Sequence, residues 1–394
     1  MKSILQPAAV GCASVLTVIA TGMATANATA EMPPVNADIV TYMGPTFDPT
    51  GEALYKFAEP YFGSLNEGRE IQFIPYPAGL WPMTGLNSTT LDASVAVGTV
   101  NAIDAINNRD KPAMLLIGGS QSAVVFSEVK KYYGQHPDQA PPAEDLTFIM
   151  VANPSRPNGG ILARFPGAYI PGVDITFSGP TPNDQYATYE LNWAYDGFSN
   201  FPRYPLNALA TLNALMGTVY QHGVPPNPFD PNNDVSVSTV GNTTYYTLMP
   251  EHLPLLRPLI DAGLGPLVAV IEPVLKVWVD AGYENNDPRA NPGVPESAQL
   301  ATPLQNIMVA LEKTPAAIAE GISTIPESVR QALSGNPITK AGQTADTDQK
   351  VASSHSSTGS FKPRGSVKKT IDRAPSNDTA PQHTSSGKGH SGRR

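Results

Sequence analysis

The sequence predicts a mostly parallel, doubly wound α/β fold, and three observations predict it. Short apolar runs alternate with amphipathic stretches from Asp38 to Ala152. One of those runs, Met114-Leu115-Leu116-Ile117, stops at Gly118-Gly119-Ser120 and passes into a helical pattern. A later pair of alternating segments flanks Gly241-Asn242, as in a hairpin. Strands alternating with helices imply parallel pairing through right-handed crossovers, and ligands then bind beyond the carboxyl ends of the strands.

Element by element, Asp38 to Met43 reads as a strand and Glu52 to Leu65 as a helix interrupted at Pro60. Glu70 to Pro75 is a second strand and Thr90 to Asn107 a helix. Ala113 to Ile117 and Ser122 to Tyr133 form a strand–helix pair around Ser120, and Leu146 to Ala152 is another buried strand. Beyond these, Tyr186 to Tyr195 reads as a strand and Tyr204 to Gly217 as a helix. Val235 to Val240 and Thr243 to Leu248 form the hairpin. Pro254 to Gly263 and Pro266 to Ala281 are amphipathic helices, and Ala301 to Leu333 holds two more. These later elements form a cap over the sheet edge or an extension beside it.

The chain ends read differently from the body. Lys2 precedes an apolar stretch from Ala8 to Ala20, too short to span a bilayer comfortably, and A-x-A sites follow between Ala24 and Ala30. Residues 1–30 are therefore expected to be a secretory signal peptide, or an anchor if retained, which places the protein outside the cytoplasm. Cys12, the single cysteine, lies in this segment, so cleavage near Ala30 leaves no thiol for a disulfide or a zinc site. Residues 335–394 are polar and basic and are expected to be a disordered tail. From Lys340 onward the tail carries +6, which leaves −15 for the rest of a chain whose formal charge is −9. So acidic a body argues against nucleic acid as a partner. A basic tail suits an anionic envelope or membrane surface. Residues 31–334 form the folded domain.

A strand, a tight turn and a helix with serine at the apex describe a nucleophile elbow at Ser120. A serine hydroxyl needs a base to take its proton, and the base needs a carboxylate to orient it. In sheets of this type the chain order is Ser, then Asp or Glu, then His. His355, His383 and His390 fall in the tail, and His136 follows the elbow helix too closely. His222 and His252 remain; His222, opening a loop after a helix, is the better placed. Asp196 ends a strand-like run at Trp193-Ala194-Tyr195-Asp196-Gly197-Phe198, with Asp174 and Asp184 as alternatives. For an oxyanion, the N–H of Gln121 and a donor from Gly44-Pro45-Thr46-Phe47-Asp48-Pro49, with Thr46 the candidate, fit the pattern. Leu255, Leu256, Leu259, Val268, Val270 and Val274 are candidates to line an acyl groove or to form core. Gly118-Gly119 and Gly159-Gly160 lack the lysine of a phosphate loop and the spacing of a dinucleotide fingerprint, so no cofactor or metal site is read.

These residues carry a resemblance. Pro75-Tyr76-Pro77-Ala78, Gly118-Gly119-Ser120-Gln121-Ser122, Asn153 to Gly160, Tyr195-Asp196-Gly197-Phe198, Asn213-Ala214-Leu215 running into His222, Thr244-Tyr245-Tyr246 and Leu253-Pro254-Leu255-Leu256 occur in order. Together the chain resembles the mycobacterial PE-PPE domain family over roughly Ile39 to Tyr283. That resemblance implies a cutinase-like serine α/β-hydrolase fold with its triad on Ser120, Asp196 and His222. It also implies the motif G-x-S-x-S, in which Ser122 supplies the small residue between elbow helix and strand. With a signal-like segment in place of the PE or PPE helices, the chain is similar to the subgroup that acylates trehalose glycolipids. The expected function is then an extracytoplasmic serine acyltransferase acting on acylated trehalose or related envelope lipids. The alternatives are a secreted esterase and a non-catalytic lipid- or glycan-binding protein on the same fold.

Overall fold

The computed structural model describes residues 35–223, 227–327 and 329–330. The segment read as a signal, Cys12, the basic tail and its three histidines lie outside the described residues.

The first strands are β1 (Ile39–Met43), β2 (Glu70–Phe73), β3 (Met114–Gly119) and β4 (Leu146–Val151), followed by β5 (Tyr169–Ile170), β6 (Ile175–Thr176), β7 (Ala187–Trp193), β8 (Val235–Val240) and β9 (Thr243–Leu248). The helices are α1 (Glu52–Phe62), α2 (Leu91–Asn107), α3 (Gln121–Gln135), α4 (Ile161–Arg164), α5 (Ala208–Tyr220), α6 (Arg257–Asp261), α7 (Gly265–Asp280) and α8 (Leu304–Ser323). Seven strands form one sheet in the order β2-β1-β3-β4-β7-β9-β8, parallel throughout except for the β8–β9 hairpin. This is an α/β-hydrolase-type sheet. β1 is flanked by β2 on one side and β3 on the other, so the strand order reverses there, and the crevice beyond β1 and β3 is the favoured place for a ligand.

The two-residue period of the strands divides the core in two. Met114 and Leu116 of β3 pack on one face with Phe148, Val125, Phe126 and Tyr133, while Leu115 and Ile117 pack on the other with Leu54 and Phe62 of α1. α2 and α3 cover the first face. A third cluster binds α5 to the C-terminal helices through Ala210, Leu253, Leu256, Val268 and Val279.

The strand and helix readings hold within a few residues, with two differences. The short helix α4 and the β5–β6 hairpin have no counterpart in the sequence reading. Within Ala301 to Leu333 the described residues give one twenty-residue helix, α8, with helical backbone resuming at Glu327. α8 runs through Pro315, which lies on its exposed face. Of the two alternatives for Leu255, Leu256, Leu259 and Val268, core is the one seen, in the third cluster.

Candidate functional site

Ser120 sits at the tip of β3 with φ 52° and ψ −113°, a conformation that a side chain rarely adopts. The strain is held by neighbours. Ser120 N–H donates to Val151 O of β4 at 2.8 Å, and Ser122 Oγ lies 2.7 Å from Met43 O of β1 and accepts Gly119 N–H at 2.8 Å. The elbow is thus tied to both adjacent strands, and Ser122 does this with its hydroxyl rather than by being small alone.

His222 follows α5, its N–H donating to Gly217 O at 3.2 Å. Its Nε2 lies 2.8 Å from Ser120 Oγ and its Nδ1 2.8 Å from Asp196 Oδ2. Asp196, 1% exposed, lies just past β7. Its Oδ2 also accepts from Ser199 Oγ at 2.5 Å and its Oδ1 from Phe198 N–H at 3.0 Å. The Phe198 ring stands edge-on to the imidazole at 4.6 Å. Two glycines set the spacing between the acid's loop and the helix that delivers the histidine. A Cβ on Gly217 would stand 1.9 Å from Tyr195 O, and one on Gly197 2.5 Å from Ala214 O. Only bare backbone lets this loop and α5 meet so closely.

The loop after β1 reaches the same place. Asp48 fixes it by accepting Gly51 N–H at 3.0 Å and Leu54 N–H at 2.9 Å, and Tyr76 OH donates to Gly44 O at 2.7 Å. The buried Gln121 side chain clamps it from beneath. Its Nε2 donates to Gly79 O at 2.7 Å and Thr46 Oγ1 at 3.2 Å, and its Oε1 accepts from Ser94 Oγ at 2.8 Å. The main-chain N–H groups of Thr46 and Gln121 have no hydrogen-bond partner among the described residues. Gln121 opens α3, where first-turn donors are free and the dipole favours an anion.

A cavity of about 680 Å³ opens over Ser120, Gln121, Thr46 and His222. Its walls are apolar and come from both faces of the sheet: Leu54, Phe57 and Phe62 of α1 on one side, Ile170, Ile175 and Phe177 on the other.

The remaining sequence candidates lie elsewhere. His252 Nδ1 pairs with Glu272 at 2.7 Å, His136 stacks on Tyr132, Asp184 pairs with Lys130 at 2.8 Å, and Asp174 accepts from Thr90 Oγ1 at 2.6 Å. Among the described residues no cluster of His, Cys, Asp and Glu is suited to a metal ion.

A buried charge network behind the site was missed by sequence reasoning. Arg156 is 1% exposed, donates to Thr247 Oγ1 at 2.6 Å and stacks over Tyr245. Glu190 of β7 is 1% exposed and accepts from Asn153 Nδ2 at 2.9 Å. Burial pushes the Glu190 carboxyl up to about 7 against the pull of Arg156, Asn153 and Lys130. Burial also pushes the Arg156 guanidinium down, opposed by the charges of Glu190, Tyr245 and Asp196. In the sequence Arg156 stands in a polar run, Asn153-Pro154-Ser155-Arg156-Pro157-Asn158, and Glu190 inside a strand, and neither pattern signals burial.

Residues 67–284 match the PE-PPE domain. Among curated relatives, all from Mycobacterium tuberculosis, Esterase PE16 is 37% identical over 248 residues, covering 61% of this chain and 46% of its own. SL1278 acyltransferase Chp1 is 34% identical, covering 61% of this chain and 62% of its own. Diacyltrehalose acyltransferase Chp2 is 34% identical, covering 54% of this chain and 66% of its own. The chain thus spans less than two thirds of each of these relatives. A match across more than half the chain, over the strands and loops that assemble the Ser120 site, identifies it as a member of the PE-PPE domain family.

Proposed function

We propose that this protein is a serine acyltransferase that moves a fatty-acyl group between hydroxyls of acylated trehalose or a related envelope glycolipid, through a Ser120–His222–Asp196 triad. The observation that carries this reading is the unbroken hydrogen-bonded chain from Asp196 through His222 to Ser120, opening into an apolar cavity. With its proton on Nδ1 and held by Asp196, His222 presents Nε2 as a base to the Ser120 hydroxyl. Ser120 Oγ attacks the ester carbonyl as its proton passes to Nε2. The oxyanion takes hydrogen bonds from the free N–H groups of Gln121 and Thr46. Collapse breaks the ester bond, and the departing alcohol leaves with the proton from Nε2. A second hydroxyl then gives its proton to His222, attacks the acyl-enzyme and releases Ser120.

The name of the relative Esterase PE16 supports a second reading, in which water is the acceptor. Purified protein given a monoacylated trehalose alone separates the two. Diacylated product with free trehalose is the expected result; free fatty acid and trehalose with no diacylated product overturn transfer in favour of hydrolysis. The third reading, an idle binder of lipid or glycan, is tested by a fluorophosphonate probe. We expect covalent labelling of the folded wild type, and no labelling would leave only binding.

The apolar segment Ala8 to Ala20 with its A-x-A sites supports an extracytoplasmic location. The exposed Phe47 and Met83 at the cavity mouth, with Leu86 nearby, support work at a lipid surface. N-terminal sequencing of exported protein is expected to begin near Ala30; a product that starts at Met1 indicates a retained anchor.

A further inference from the structure

The cavity over Ser120 continues into a second apolar compartment. This groove, about 360 Å³, lies between α2 and α3. Leu91, Val124 and Leu162 line both spaces. The helical period makes the connection directional. On α3, Ser120, Val124 and Glu128 succeed one another at four-residue steps, the first in the cavity, the second in both spaces and the third in the groove. On α2, Leu91 lines both spaces, and Val95 and Thr99, at the same four-residue steps, line the groove alone. Eight residues of helix span about 12 Å, so the groove leads two turns away from the nucleophile.

β6 and the two residues after it form the partition. Ile175 and Phe177 line the cavity, while Thr176 and Ser178 line the groove, as a two-residue period requires. The partition is fastened to α2. Asp92 accepts Thr176 N–H at 2.9 Å and Thr176 Oγ1 at 2.6 Å. Asp174, in the turn of the hairpin, accepts Thr90 Oγ1 at 2.6 Å and Tyr169 OH at 3.0 Å. The hairpin is therefore a fixed wall between two apolar spaces, reached over the shared sill of Leu91, Val124 and Leu162.

We propose that the α2–α3 groove is a subsite for a second acyl chain, one carried by the substrate but not attached to the reacting carbonyl. The inference rests on the acyl-ester reading above. The cavity already offers an apolar wall on each side of Ser120. A lipid with one chain fills it, and a lipid with two places the other over the sill in the groove. Glu128, Lys131 and Ser178 close its far end with polar groups, Lys131 Nζ bonding Glu128 Oε1 at 2.8 Å and Ser178 O at 2.7 Å, so the groove favours a chain that ends there.

The test measures binding in the full chain carrying Ser120→Ala, which separates it from any question of turnover. The ligands are monooctanoylglycerol and 1,2-dioctanoylglycerol, with Kd read by calorimetry. Burial of a second chain is expected to make the two-chain ligand bind at least about tenfold more tightly. Ala96→Trp, at an exposed position on the groove wall, is expected to bring the ratio of the two affinities close to one. Thr99→Trp, made separately, is expected to do the same if Ala96→Trp disturbs folding by circular dichroism. A two-chain advantage that survives both substitutions overturns the proposal, as does equal affinity of the two ligands for the Ser120→Ala chain. Failure of the wild type to label with fluorophosphonate would overturn the enzymatic reading instead and would leave these affinities as they are.

Discussion

Ser120→Ala is expected to abolish fluorophosphonate labelling and to lower kcat/KM for a soluble acyl ester by on the order of 10⁴–10⁶. The reason is geometric. Ser120 Oγ, 2.8 Å from His222 Nε2, is the nucleophile of the proposed triad, and the strained elbow is what holds it there. His222→Ala and the double variant are expected to fall to nearly the same rate, because residues that act as one unit lose their effect together. Additive losses in the double variant would show that the two side chains act independently and would overturn the triad. Circular dichroism guards against unfolding; the alanine removes only the hydroxyl that meets His222.

Arg156→Met is expected to cost about 1–3 kcal/mol in urea unfolding at neutral pH, because it removes the donor to Thr247 Oγ1 and a positive charge near the buried Glu190. Methionine fills much of the volume, so the loss is electrostatic. Glu190 would keep Asn153 and Lys130 but lose the guanidinium that most opposes its desolvation. The pH dependence gives the sharper signature. The folded Glu190 carboxyl titrates at about 7, above its ordinary 4.5. Between those values the native state binds more protons than the unfolded one, so its contribution to stability is complete below about 4.5 and is lost as pH rises through 7. Without Arg156 the carboxyl titrates higher still, and the decline in stability extends further up the pH scale. Glu190→Gln carries no proton to lose, and its stability curve is expected to be flatter over the same window. Parallel curves for wild type and both variants would show that Glu190 stays ionised in the folded protein.

Much of the fold is legible because its signals are local. The apolar run of β3 ends in Gly118-Gly119, and Gly241-Asn242 sits between two alternating segments, so each strand announces its own end. Two-residue strands such as β5 and β6 are too short to show a period; they exist because Asp92 and Asp174 fasten them to α2, a contact across about eighty residues of chain. The same limit applies to Leu255, Leu256, Leu259 and Val268. Their spacing marks an apolar helical face but not its partner, which proves to be α5 and its surroundings. At the candidate site, the turn marks Ser120, chain order and loop position favour Asp196 and His222 over Asp174, Asp184 and His252, and the family resemblance names those three together. The supports around them were illegible. Ser199 bonds Asp196, Gln121 clamps Thr46, and Gly197 and Gly217 let two backbones touch, all through tertiary proximity. Arg156 and Glu190 were hidden for a different reason, since a charged residue in a loop or strand gives no hint that folding will bury it.

Ser122 has a mechanical consequence for the site. Its hydroxyl joins the elbow to the last carbonyl of β1, and β1 leads directly into the loop that holds Thr46. Nucleophile and candidate oxyanion donor are therefore bolted to one reference frame, the adjacent strands β1 and β3. The helices and the β5–β6 hairpin that shape the cavity walls are attached to that frame from outside. A substitution in the walls can therefore reshape the cavity while the distance between attacking oxygen and candidate oxyanion donor stays put, so cavity shape and precision at the carbonyl are carried by separate parts of one chain.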